Sequence, residues 1–97
     1  MSSLSENQIS IIEAFIAAND AVDMPDIDQE NLQILREEIK TQPPNTSYMV
    51  DYDSNRRIMY HMYKSSKDNC VYIMATSMRT VFTSYVDPLI GYCRLQN

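Results

Sequence analysis

The sequence contains a single glycine, Gly91, one histidine and two cysteines among its 97 residues. Phosphate-binding loops of the Walker and dinucleotide types need several glycines, because the backbone must approach the phosphate closely. The cysteines, Cys70 and Cys93, lack C-x-x-C spacing, and only His61 could join them as a metal ligand. We therefore expect no cofactor and no metal site, and we interpret both cysteines as small hydrophobic residues.

Long apolar runs are also lacking, and the first ten residues have neither the basic nor the apolar region of a secretion signal. With 44% hydrophobic and 22% charged residues, the composition is that of an ordinary globular domain. We expect one domain over residues 1–97, located in the cytoplasm and without membrane contact.

Bases are scarce in the first part of the chain. Residues 1–40 hold nine acids and two bases, whereas residues 41–97 hold four acids and six bases. An acidic half repels phosphate backbones and attracts basic surfaces. The charge pattern disfavours direct binding of nucleic acid and favours a protein partner with a basic surface.

Two amphipathic helices are predicted within about residues 5–42. For the first, Ser5 and Gln8 have the spacing of a capping box. Ile9, Ile12 and Ile16 follow at helical spacing and form an apolar stripe.

The second helix is predicted to start at Asp26 or Asp28, since both are good N-cap residues. Leu32, Leu35 and Ile39 form its buried stripe, and the two prolines that follow end it.

From residue 48 onward the apolar pattern has a period of two. The segments "YMVDY", "RIMYHMY", "CVYIMAT" and "TVFTSYV" predict strands within about residues 47–87, and the turn "DSNR" suits a hairpin with Asn55 in a left-handed conformation. Short connections make neighbouring strands antiparallel. The predicted fold is α+β, with two N-terminal helices packed on one face of a four-stranded antiparallel meander, followed by a short tail at 88–97.

Alternation divides each predicted strand into two faces. Val71, Ile73 and Ala75 share one side of the third strand, which suits the floor beneath the helices. The other side stays rich in Tyr, Met and Cys, where a sheet face exposed to water normally turns polar. Tyr and Met are enriched at the centres of protein interfaces. The sequence therefore favours a partner-binding surface there, consisting of Tyr48, Tyr52, Met59, His61, Tyr63, Tyr72 and Met74.

A second interpretation of the same face stays open. The C-terminal tail, with Leu89, Ile90, Tyr92 and Leu95, could fold over it and bury it within the chain. If the face is exposed instead, its partner is either a foreign protein or a second copy of the chain, which would give a homodimer.

The acids of the first half follow helical spacing. Glu6, Glu13 and Asp20 are seven residues apart on the first helix, and Glu30 and Glu37 repeat that spacing on the second. Residues two turns apart lie along one side of a helix. These acids predict a face that steers the protein toward a positively charged groove, and the simpler alternative is a solvated helix surface.

A ribonuclease site is the alternative function. The order of two helices and a meander, with "RIMYHMY" followed by "VYIMATSMRTVF", resembles small ribonuclease toxins of the RelE/barnase-like kind. The resemblance implies metal-independent RNA cleavage on the sheet face, where His61 and Lys64 would join Arg79, Thr83 and Tyr85. Such cleavage needs a general acid or base and cations that hold the phosphate.

The absence of any other catalytic motif favours a non-enzymatic role. The sequence predicts a small acidic protein-binding module that inhibits or adapts a larger target, including a target that handles nucleic acid. Such domains are typical of the anti-defence inhibitors of phages and other mobile elements, and of immunity proteins.

Overall fold

The computed structural model describes residues 2–24, 26–77 and 88–96. The first helix, α1, spans Glu6–Ala18 and begins at the predicted capping box. The Gln8 amide donates to the Ser5 hydroxyl at 3.1 Å, and the Ser5 amide donates to the Gln8 side chain at 2.9 Å. These bonds satisfy backbone donors that have no partner inside the helix.

The second helix, α2, spans Gln29–Ile39 and has Asp28 as its N-cap. The Asp28 carboxylate accepts hydrogen bonds from the backbone amides of Glu30 and Asn31 at 3.1 and 3.3 Å. The predicted stripe is confirmed, since Leu32 and Ile39 are buried and Leu35 packs beside them.

The sheet is an antiparallel meander whose strands follow one another in chain order. Its four main strands are β2 (Thr46–Asp53), β3 (Ile58–Lys64), β4 (Val71–Ser77) and β5 (Leu89–Arg94), and a two-residue strand, β1 (Ser2–Ser3), pairs with the start of β2. The predicted α+β architecture of two helices on a four-stranded antiparallel meander is confirmed.

The last strand differs from the prediction. Residues 89–94, predicted as part of a tail, form β5 and pair with β4 from Tyr72↔Arg94 to Thr76↔Leu89. The predicted strand at 80–86 lies outside the described residues. The tail prediction is therefore wrong for 89–94, because β5 supplies the backbone partners for the outer edge of β4.

The turn between β2 and β3 also differs in detail. The Asp53 carboxylate accepts hydrogen bonds from the amides of Asn55 and Arg56, both at 3.0 Å, which fixes the turn locally. The left-handed residue is Arg57, with φ 56°, and not Asn55 as predicted.

The two helices lie on opposite faces of the sheet, which corrects the prediction that both cover one face. On the face covered by α2, here the α2 face, the buried cluster includes Val71, Ile73 and Ala75. On the opposite face, here the α1 face, the buried cluster comprises Ile12, Tyr63, Cys70, Tyr72, Met74 and Tyr92. Each helix has one apolar stripe, and the sheet has two apolar faces, so one helix on each face removes more apolar surface from water.

The connection between the helices passes the outer edge of β5. The Val22 amide donates to the Tyr92 carbonyl at 2.8 Å, and the Met24 side chain packs against both buried clusters. A Cβ atom at Gly91 would lie 3.2 Å from the Val22 side chain, so the only glycine of the sequence allows this close packing.

Candidate functional site

The Tyr- and Met-rich surface predicted to bind a partner is covered by the chain itself. Tyr63 and Met74 are completely buried and Tyr72 is 6% exposed, in the cluster that α1 covers. His61 and Met59, which alternate with Tyr63 along β3, are also buried. These five residues are buried, so they do not form the exposed surface that their predicted binding role needs.

Tyr48 and Tyr52, the other two residues of that predicted surface, lie on opposite faces. The β2–β3 register shifts at Val50, so Tyr48 pairs with Met62 whereas Tyr52 pairs with Met59. The extra residue of a bulge changes the face on which later side chains emerge. Tyr48 is buried in the α2-face cluster, and Tyr52 is 44% exposed. Of the seven predicted residues, Tyr52 alone has a large exposed surface.

A buried polar network joins α1 to the sheet. The Tyr63 hydroxyl donates to Oε2 of Glu13 at 2.5 Å, and the Ser65 hydroxyl donates to the same oxygen at 2.8 Å. The Asn45 side chain lies 3.0 Å from the Tyr63 hydroxyl, and the Lys67 amide donates to the Ser65 oxygen at 3.1 Å. Glu13 is 8% exposed, so this carboxylate is a structural group and does not belong to an exposed acidic face.

Burial raises the pKa of Tyr63 far above its usual value of 10, and the hydrogen bond and negative charge of Glu13 raise it further. The Tyr63 phenol therefore stays protonated and donates its hydrogen bond to Glu13. Its ionisation would place two negative charges together in a site removed from water.

The arrangement predicted for a ribonuclease is not assembled. His61 and Lys64 are three residues apart on β3 and therefore point to opposite faces of the sheet. His61 is completely buried, and that burial lowers its pKa from 6.5 to about 4. The pairing of His61 with Lys64 around one phosphate is therefore wrong. Arg79, Thr83 and Tyr85 lie outside the described residues.

The cysteines also lie on opposite faces. Cys70 is buried on the α1 face, Cys93 packs against the α2-face cluster, and both thiols are free. An Arg94 nitrogen lies 2.8 Å from the Cys70 sulfur. The two side chains point away from each other, on opposite faces of the sheet, so an intramolecular disulfide does not fit the fold.

The predicted acidic face is divided by the fold. Glu6, Asp20, Glu30 and Glu37 are exposed, as predicted, whereas Glu13 points into the core. Because α1 and α2 lie on opposite sides of the sheet, the four exposed acids do not form a single surface.

A different set of acids is close together in the sequence. We define the acidic band as the five acids between residues 20 and 30, a segment without a basic residue, and all five are exposed: Asp20, Asp23, Asp26, Asp28 and Glu30. Asp20, Asp23 and Glu30 have no ion-pair partner within the described part of the chain. These three carboxylates are therefore available to a cation from another molecule.

Both ends of the acidic band are held to the sheet. Near its start, the Val22 amide is bonded to β5, as described above. At its end, the Asp28 amide donates to Oδ2 of Asp51 on β2 at 2.8 Å.

An Arg56 nitrogen lies 2.7 Å from Asp26 and another lies 2.7 Å from Asp53, which ties the band to the β2–β3 turn. The described residues on each side of position 25 are therefore attached to the sheet, at the edge of β5 and at β2.

Two exposed aliphatic residues accompany the acidic band. Val22, which lies between Asp20 and Asp23 in the sequence, is 50% exposed. Ile90, the neighbour of Gly91 in β5, is 48% exposed. Apolar side chains bordered by charges are a common arrangement in protein interfaces.

Among the described residues, no group of three or more His, Cys, Asp and Glu side chains is placed to hold a metal ion. Neither described helix is long and apolar enough to cross a membrane. Comparison of the chain with protein-family models, with curated proteins and with solved structures found no match.

The inward position of Glu13 had a signal in the sequence. Glu13 is four residues after Ile9 and three before Ile16, so it lies within the apolar stripe of α1. Its spacing from Glu6 and Asp20 suggested an exposed face, but its position in the stripe was the better guide.

Proposed function

We propose that the protein is a non-enzymatic binding module that inhibits or adapts a larger protein, and that the acidic band is its contact surface. The target presents a basic surface to the band. The observation that carries this proposal is the run of five exposed acids, without a base, in a segment attached at both ends to the sheet.

Attachment of the band favours binding for a physical reason. Residues already attached to the sheet lose less conformational entropy on association than free ones do. Complementary charges then increase the association rate and exclude partners of like charge, while Val22 and Ile90 supply apolar contact. An inhibitor of a protein that handles nucleic acid fits this chemistry, since such proteins carry basic surfaces.

The charge of the band also selects the class of partner. Phosphate backbones are repelled by it, and two copies of the band repel each other. A foreign protein with a basic surface is therefore favoured over nucleic acid and over a second copy of this chain.

The test compares two triple variants of equal charge. One carries Asp20→Asn, Asp23→Asn and Glu30→Gln in the band, and the control carries Glu6→Gln, Glu37→Gln and Glu38→Gln. Each is used to capture proteins from a lysate of the native host, and the affinity of each captured protein is then measured.

We expect a target that binds the wild type and the control but binds the band variant at least about ten-fold more weakly, as loss of charged contacts requires. Equal capture by the two variants would contradict a role for the band. Equal loss from both would show an effect of net charge alone and would also contradict the proposal.

A further inference from the structure

A cleft at the other end of α2 is lined by cations, although the chain has a net charge of −5. This basic cleft has a volume of about 290 Å³ and is lined by Arg36, Lys40, Lys64, Asn69, Val71 and Leu95. Every ionisable residue in that lining is basic, so an anion entering the cleft meets three positive charges.

Lys64 has a fixed position at the cleft. It is 9% exposed, and its ammonium group donates to the carbonyl oxygens of Gln42 and Lys40 at 2.8 and 3.3 Å. An ammonium group has three N–H donors, so one remains after these two bonds. No carboxylate pairs with Lys64 in the part of the chain that the structure describes. A buried cation without a carboxylate is a favourable neighbour for an anionic ligand.

The other cations are also available. Arg36 is half-buried, and the described residues include no carboxylate partner for it. Lys40 pairs with Glu37 at 3.1 Å, but both side chains are more than half exposed, so this pair is weak. A guanidinium group binds an oxyanion through two parallel hydrogen bonds, which an ammonium group cannot do.

The rest of the lining adds a polar and an apolar wall. Asn69 has a left-handed backbone, with φ 59°, at the turn before β4. Val71 is buried, and the Leu95 amide donates to its carbonyl at 2.9 Å, which holds the end of the chain beside the cleft. The cleft can therefore contact an organic group as well as a charge.

We propose that the basic cleft binds the phosphate group of a small organic phosphomonoester. A phosphate carries about −1.5 to −2 charges at neutral pH and offers three acceptor oxygens, which suits three cations better than a carboxylate with a single charge does. Val71 and Leu95 contact the organic part. The site and the acidic band lie toward opposite ends of α2. Glu30 of the band and Arg36 of the cleft are six residues, about 9 Å, apart along the helix axis, which is about the screening length in physiological salt.

The test uses three probes with the ¹⁵N-labelled protein: phenyl phosphate, inorganic phosphate and benzoate. Phenyl phosphate is expected to cause saturable shifts of the amide signals of residues 64, 69, 71 and 95. Inorganic phosphate is expected to act on the same signals with lower affinity, and benzoate to bind more weakly than phenyl phosphate. Benzoate binding as tightly as phenyl phosphate would overturn the assignment of a phosphate ligand.

Variants show whether the site is specific. Arg36→Gln, and separately Lys40→Gln, should each weaken phenyl phosphate binding by about ten-fold or more, which corresponds to one lost charged hydrogen bond. Lys67→Gln removes the same charge outside the basic cleft and should leave the affinity unchanged. The proposal is overturned if no shift saturates, if the shifts spread over all basic residues, or if the Lys67 variant weakens binding equally.

Discussion

The Tyr63 hydroxyl lies 2.5 Å from the Glu13 carboxylate and so connects β3 to α1 across 50 residues of sequence. This bond lies on the α1 face, whose Tyr and Met residues the sequence predicts to bind a partner. Because α1 is held there by a polar bond as well as by apolar packing, the part of that face under α1 belongs to the core. The proposed contact surface is instead the acidic band.

Replacement of Glu13 should distinguish its hydrogen bonds from its charge. Glu13→Ala leaves the buried hydroxyls of Tyr63 and Ser65 without an acceptor, so it should lower the free energy of unfolding by about 3 kcal/mol. Glu13→Gln keeps an acceptor oxygen in the same place and should cost about 1 kcal/mol. Denaturant unfolding monitored by circular dichroism measures both values.

The exposed acid Glu37 provides the control for this pair. Glu37→Ala should change the free energy of unfolding by less than about 0.5 kcal/mol, since its ion pair with Lys40 is exposed. If Glu13→Ala were as mild as Glu37→Ala, the buried network would not stabilise the packing of α1.

The stability of the protein should fall in acid because of His61. Burial lowers its pKa in the folded state to about 4, whereas the unfolded chain has the usual value of 6.5. Below pH 6.5 the unfolded state binds a proton that the folded state does not, so stability decreases as the pH falls toward 4, by roughly 3 kcal/mol in total. Unfolding curves measured between pH 7 and pH 4 test this dependence.

A His61→Gln variant separates this effect from the carboxylates, which also titrate in acid. The variant should have a smaller slope of unfolding free energy against pH between 6.5 and 4 than the wild type. Identical slopes would show that His61 is not buried in its neutral form.

Tyr63 and Tyr72 should resist ionisation at high pH. Burial raises the pKa of both above the usual value of 10, and hydrogen bonds to Glu13 and Asp68 add to the effect. In the unfolded chain both phenols ionise near pH 10, whereas the folded protein keeps them protonated. The free energy of unfolding therefore decreases as the pH rises above 10. Burial also raises the pKa of Tyr48 and Tyr60, so ultraviolet absorbance should show that at least two phenolates form only as the protein unfolds.

The variants Tyr63→Phe and Tyr72→Phe should each remove one of these late phenolates. If all seven tyrosines ionised in one step while circular dichroism still showed the native fold, the α1 face would be open to water.

Local structure was well predicted where a few adjacent residues determine it. The capping box of Ser5 and Gln8 and the alternation of Val71 with Tyr72 follow from short spacings, and the structure confirms both. Of the two predicted N-caps of the second helix, the structure selects Asp28. Such features depend on hydrogen bonds and periodicity within a few residues.

The errors concern relationships between distant segments. Both helices have apolar stripes, and neither stripe specifies which sheet face it covers, so the crossing of the chain at Val22 could not be derived from periodicity. The role of residues 89–94 depends on the free edge of β4, and the face of Tyr52 depends on the bulge at Val50. The acidic band was missed because Asp20 and Glu30 were assigned to two helix faces and Asp26 and Asp28 were considered only as helix caps. The segment between α1 and α2 in fact holds four of the five acids.

The most direct test of the account is a chemical-shift map of the ¹⁵N-labelled protein in complex with a target captured as described above. If the acidic band is the contact surface, the largest shift changes will occur at residues 20–30 and at Ile90, while the signals of Tyr63, Tyr72 and Met74 change little. Largest changes at those three residues, with 20–30 unaffected, would contradict the account and return the binding role to the sheet face.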